Sequence, residues 1–134
     1  VRFSQLVIDA VIAAPWVEGA KNFLIRNKKN YTFIVVSGTP EDELEEIIQR
    51  REMGCFFDSV RGSPKDKISH LNEIMYEYHL KPEEIMFVGD AETDWFAAQA
   101  TGVSFIWRCS LNEVLMPSYD GPKIYSLKDL ESNF

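Results

Sequence analysis

Basic residues are scarce in this sequence: 14 Lys and Arg stand against 21 Asp and Glu, a formal charge of −7. Without a cationic footprint to neutralise a phosphate backbone, nucleic acid is not an expected partner. Lys28 and Lys29, with Arg26 nearby, read as a solvated turn. Cysteine occurs only as Cys55 and Cys109, with no metal-ligand spacing, which reads as two reduced, buried thiols in an intracellular, cytoplasmic domain. No apolar run approaches the ~20 residues that span a bilayer, and no charged segment leads into an apolar one as in a secretory signal. A membrane partner is therefore not expected. Gly-x-x-x-x-Gly-Lys is absent as well, so Ser37-Gly38-Thr39-Pro40 is not a nucleotide loop.

What is present is an apolar sequence, 46% hydrophobic over 134 residues, enough for one domain with a real core. Two runs are β-branched or aromatic almost throughout, Tyr31-Thr32-Phe33-Ile34-Val35-Val36 and Ile85-Met86-Phe87-Val88. Such strands are buried on both faces, as in a parallel sheet. Shorter strands are expected at 59–61, 104–108 and 123–126. Between them, apolar residues recur at helical spacing over 16–26, 41–52, 66–79 and 92–101, with a short terminal helix at 127–131. Phe3, Leu6, Val7, Val11 and Ile12 also fit a helix by their intervals, although their β-branched content permits a strand. Strands alternating with helices over short connections define an α/β fold, a doubly wound, Rossmann-like parallel sheet.

In such a fold, ligands bind at the carboxyl ends of the strands. Three strand ends here carry polar groups. The first ends in Ser37-Gly38, the second leads through Gly62-Ser63-Pro64 to Lys65 and Lys67, and the third ends in Gly89-Asp90 with Asp94 one helical turn on. Two carboxylates so placed suit a hard cation such as Mg²⁺. A hydroxyl with free backbone N–H groups, an ammonium and two acids are what metal-assisted phosphoryl chemistry requires. Each part has a plainer reading. Asp90 and Asp94 would complement a helix dipole, Ser37 and Thr39 would cap a helix, and the lysines would be solvated. His70 and His79 read as helix-surface or helix-end residues, and Trp16, Trp95 and Trp107 as packing residues.

Taken in order, Val35-Val36-Ser37-Gly38-Thr39, Gly62-Ser63-Pro64-Lys65-Asp66-Lys67 and Val88-Gly89-Asp90-Ala91-Glu92-Thr93-Asp94, with Ala97-Ala98 and Gly102-Val103, resemble the haloacid dehalogenase-like (HAD-like) hydrolases. The pattern is most similar to their phosphoglycolate phosphatase-like branch, and it covers residues 3–130. The resemblance implies that Ser37 and the N–H of Gly38 hold a phosphoryl oxygen, with Thr39 in the same loop. It implies that Lys67 offsets charge between the phosphoryl group and the nucleophile, Lys65 being the alternative lysine and a further substrate contact. Asp90 would coordinate Mg²⁺, and Asp94 would hold a metal-bound water or the lysine.

The sequence departs from that family in its first motif. The pattern requires a strand ending in Asp-x-Asp-x-Thr, the first acid attacking phosphorus and the second serving as acid and base, yet no Asp-x-Asp occurs. Leu6-Val7-Ile8-Asp9 imitates the strand, but Val11 and Ala13 stand where the second acid and the threonine belong. Residues 1–14 are therefore expected to end a helical cap or linker helix, and 15–134 to form a core that lacks its nucleophile strand. The missing partner would be an upstream segment of the same polypeptide. A divergent chain using Asp9 is the other option. The implied function of the complete protein is Mg²⁺-dependent hydrolysis of a small phosphorylated metabolite through an aspartyl-phosphate, this chain alone being inactive. The alternative is a catalytically inactive module that binds a phosphate-bearing ligand or a protein partner.

Overall fold

The two β-branched runs flank the strand between them in a parallel sheet that has six strands among the described residues. The computed structural model describes residues 5–9 (as backbone), 25–27, 31–50, 54–89, 91–108, 119 and 121–124. In chain order the elements are β1 (Gln5–Asp9), β2 (Thr32–Pro40), α1 (Glu41–Arg50), β3 (Ser59–Ser63), α2 (Lys67–Glu77), β4 (Ile85–Gly89), α3 (Glu92–Thr101), β5 (Ser104–Arg108) and β6 (Lys123–Ile124). The strands lie side by side as β3-β2-β1-β4-β5-β6, all in parallel.

The period-two alternation of each strand sends its side chains to opposite faces. Phe33, Val35, Met86 and Val88 pack with Leu44 and Ile48 of α1 on one face. Ile34, Val36, Ile85 and Phe87 pack with Leu71 and Ile74 of α2 and Ala97 and Ala98 of α3 on the other. Central strands buried on both sides have no place for polar side chains until their carboxyl ends, and that is where the polar groups begin. α2 is anchored at its far end as well: Arg61 Nη2 donates to Glu77 Oε2 at 2.8 Å, and the Tyr78 hydroxyl donates to Asp58. Arg61 is raised above its ordinary pKa because the hydrogen bond and charge of Glu77 outweigh burial, which acts the other way.

Four expectations are corrected. Gln5–Asp9 is a strand of the sheet, not part of a cap helix, and it fills the place between β2 and β4 that the sequence reading left empty. Its register pairs Ile8 with Val35 and Val88, and Asp9 with Val36. The helical intervals of this segment yield because two buried strands offer facing ladder groups that must be paired, and a Leu-Val-Ile run suits that place. Cys55 is exposed, sitting in the 3-10 turn Gly54–Phe56 while Phe57 turns inward. His70 is buried, at 4% exposure, under the turn that follows β3. β2 runs on through Pro40, which faces Ser63 of β3 across an irregular step, whereas a strand ending at Val36 was expected.

Residues 25–27 are helical, in keeping with the helix expected over 16–26. The remainder of that helix, the terminal helix at 127–131, Cys109 and Asp90 lie outside the described residues. Among the described residues, no helix is long and apolar enough to cross a membrane.

Candidate active site

Chain order runs outward from β1 to β3 and then returns to β4, so the direction of winding reverses at the carboxyl ends of β1 and β4. Open α/β sheets bind ligands at such a reversal. Ser37 projects there from β2 and is buried. Its Oγ accepts from the Thr39 N–H at 3.0 Å, a local hydroxyl-to-backbone turn. A hydroxyl has one proton to give and two lone pairs, so the bond to Thr39 leaves the Ser37 O–H as a donor. The amide of exposed Gly38 follows directly.

Lys67 is the first residue of α2. Asp66 caps that helix by accepting from Ser69 N at 2.7 Å, and the bond holds the Asp66 carboxyl below its ordinary pKa. From this position Lys67 reaches across to α3, with Nζ 2.7 Å from Asp94 Oδ1 and 3.0 Å from Thr93 Oγ1. Asp94 is fully buried, and its other oxygen, Oδ2, accepts from Ala91 N at 3.1 Å. Gly89 makes room for this carboxylate. A Cβ at Gly89 would lie 2.5 Å from Asp94 Oδ2, closer than packed atoms come.

A second close approach joins the other two strand ends. A Cβ at Gly62 would lie 2.4 Å from the Thr39 carbonyl oxygen, so the turn carrying the lysines sits directly on the turn carrying Ser37. Gly62 N donates to Glu41 Oε1 at 3.2 Å, and His70 Nε2 lies 2.8 Å from the Gly62 carbonyl.

The structure thus brings Ser37, Gly38, Lys65, Lys67 and Thr93 to one cavity of about 430 Å³. Lys65 stands at its rim, but its ammonium is paired with Glu73. Of the two lysines, Lys67 is the one held by Asp94. Thr39 contributes its amide to Ser37. Asp90 lies outside the described residues, and among those described no group of three or more His, Cys, Asp or Glu side chains stands ready to hold a metal. Sequence reasoning missed Thr93 as the second partner of Lys67, although it lies within the quoted Gly89–Asp94 motif. It also missed the tie from His70 to Gly62, which a helix-surface reading hid.

Residues 12–108 match the family model of the haloacid dehalogenase-like hydrolases. The chain belongs to that family. It is 37% identical over 76 residues to enolase-phosphatase E1 of Aquifex aeolicus (strain VF5), a stretch covering 57% of this chain and 33% of that protein. The chain thus spans about a third of this curated relative. Among solved structures, it resembles a predicted phosphoglycolate phosphatase from Haemophilus somnus 129PT, with a TM-score of 0.78, 20% identity and coverage of 87% and 56% of the two chains. The proposed HAD-hydrolase YfnB of Bacillus subtilis, bound to magnesium, gives 0.77 at 16% identity, covering 87% and 55%. At such identities these structures show a shared fold, the doubly wound parallel sheet described above.

Proposed function

We propose that the complete protein is a Mg²⁺-dependent phosphatase that hydrolyses a small phosphomonoester through an aspartyl-phosphate. The observation that carries this reading is Lys67, which lines one cavity with Ser37 and is held from behind by the fully buried Asp94 at 2.7 Å. Ser37 O–H and Gly38 N–H would hold a phosphoryl oxygen, and Lys67 would offset the charge that builds between phosphate and nucleophile. Asp94 serves by fixing Lys67.

The carboxylate oxygens at this edge are the hard donors that Mg²⁺ takes. Asp90 would hold the ion, with Asp94 acting through water because its oxygens already engage Lys67 and Ala91. Bound there, Mg²⁺ would shield the phosphoryl oxygens from the attacking carboxylate. In the first step an aspartate oxygen bonds to phosphorus while the ester P–O bond breaks, and the second acid of the Asp-x-Asp-x-Thr strand gives the departing alkoxide a proton that it later takes back from the attacking water. Water then cleaves the acyl phosphate, releasing inorganic phosphate and restoring the carboxylate.

The attacking aspartate belongs on the strand between β2 and β4, and two segments have a claim to that place. A strand upstream of this chain, carrying Asp-x-Asp-x-Thr, is the reading adopted. General acid–base help is worth ~10²–10⁴ in rate, and Val11 cannot give it. The family match also begins at residue 12, beyond β1. The second reading makes Asp9 the nucleophile, and the observation that favours it is that β1 occupies the place and Asp9 ends it.

In the complete protein, Asp90→Asn is expected to abolish Mg²⁺-dependent hydrolysis of p-nitrophenyl phosphate while the circular dichroism spectrum stays unchanged. Undiminished turnover would overturn the phosphatase assignment. Asp9→Asn decides between the two nucleophiles: retained activity assigns the upstream strand, and lost activity with intact fold assigns Asp9.

A further inference from the structure

We infer that the groove leading away from Ser37 and Lys67 is a subsite for an uncharged, apolar leaving group, so that the substrate class is an aryl or branched-alkyl phosphomonoester. This inference rests on the phosphatase reading and narrows it. Four large apolar side chains stand exposed among the described residues: Ile25, Ile68, Tyr76 and Phe96. Singly scattered, such residues need no explanation. Ile68 and Phe96, however, line the same cavity as Ser37 and Lys67, with Pro64 and Ala97 extending its apolar wall.

Their position follows from the fold. Ile68 is the second residue of α2 and Phe96 the fifth of α3, and both helices start at the edge where the phosphoryl group would sit. Phe96 is also held in place, stacked on Trp95 with ring centroids 5.7 Å apart and planes 26° from parallel. A platform fixed before binding loses little freedom when a ligand packs on it.

The charged groups of the same cavity are already engaged. Lys67 is paired with Asp94, Lys65 with Glu73, and Asp66 caps α2. Lys67 would serve the phosphoryl group itself, so a second charge on the substrate would have to draw Lys65 from Glu73 and would lose hydration against an apolar wall. At about 430 Å³ the cavity lies within the range of small-molecule sites, which are mostly apolar with a few placed polar groups.

The test is calorimetric titration of the complete protein, with Mg²⁺, against three non-hydrolysable probes: phenylphosphonate, methylphosphonate and phosphonoacetate. Phenylphosphonate is expected to bind roughly tenfold or more tighter than methylphosphonate, the usual return for filling an apolar pocket, with phosphonoacetate the weakest. Phe96→Ala should remove most of the phenyl preference without weakening methylphosphonate, and Phe96→Leu should restore part of it. Equal binding of the phenyl and methyl probes, or a preference that Phe96→Ala leaves unmoved, overturns the apolar subsite and leaves the phosphate site standing. Tightest binding of phosphonoacetate overturns it in favour of a charged leaving group. Absence of binding by all three removes the phosphate site and the subsite together. Self-association abolished by Phe96→Ala would assign the groove to a second copy, and overturns the inference too.

Discussion

Replacing Lys67 by Met removes the cation from a carboxylate that has no access to water. Asp94 is fully buried, and the Lys67 side chain is only 15% exposed. At their separation of 2.7 Å, two unit charges attract by about 6 kcal/mol for an effective dielectric constant of about 20. Desolvation of both groups offsets part of that gain, so the pair itself contributes less than its gross attraction. Truncating one partner is a different matter, because the other charge stays buried. Such truncations cost about 3–5 kcal/mol, a large share of the ~5–15 kcal/mol that holds a domain together. With a urea m-value near 2 kcal/mol/M, the unfolding midpoint should fall by about 2 M. Adding Asp94→Asn to Lys67→Met should recover part of the loss, because the uncompensated charge is gone. A Lys67→Met chain within about 1 kcal/mol of the parent would behave like an exposed pair and would refute the buried-pair account. So would a double variant no more stable than the single one.

Two further outcomes follow from other features. Gly89→Ala places a methyl group against Asp94, and overpacking of this kind should cost about 1–3 kcal/mol in urea unfolding; a neutral result would mean that the helix start moves freely away from β4. The Glu77 carboxyl is held below its ordinary pKa by the Arg61 hydrogen bond and, next, by its charge. Its contribution to stability is therefore full above the ordinary Glu range, about 4.3, and lost as pH falls through the folded value. The difference in Tm between parent and Glu77→Gln should shrink on acidification, and a difference that grows would refute the assignment.

The elements buried on both faces were the easiest to read, because a run such as Phe33-Ile34-Val35-Val36 has no stable place except mid-sheet. Lys67 at the start of α2 was legible for a related reason: Gly62-Ser63-Pro64 cannot continue a helix, and Asp66 can cap one. What escaped was decided by distant partners. Gln5–Asp9 has intervals that suit a helix, and only the facing edges of β2 and β4, far along the chain, make it a strand. His70 repeats with helical period, and nothing local says that Gly62 folds back over it. The apolar wall was invisible for the opposite reason, since Phe96 and Ile68 look like ordinary core positions until two helices are set side by side.

β1 also divides the molecule in a way that bears on assembly. On one side of it lie β2 and β3, on the other β4, β5 and β6, and among the described residues no ladder joins the two groups except through β1. One half-sheet brings Ser37 and Lys67, and the other brings Gly89 and Asp94. The ion pair is thus a clasp across a seam, reinforced where α2 meets α3. Whichever strand finally lies in the seam, Ser37 and Lys67 meet Gly89 and Asp94 only after both halves have closed on it, so a chain with its halves parted has no candidate site at all.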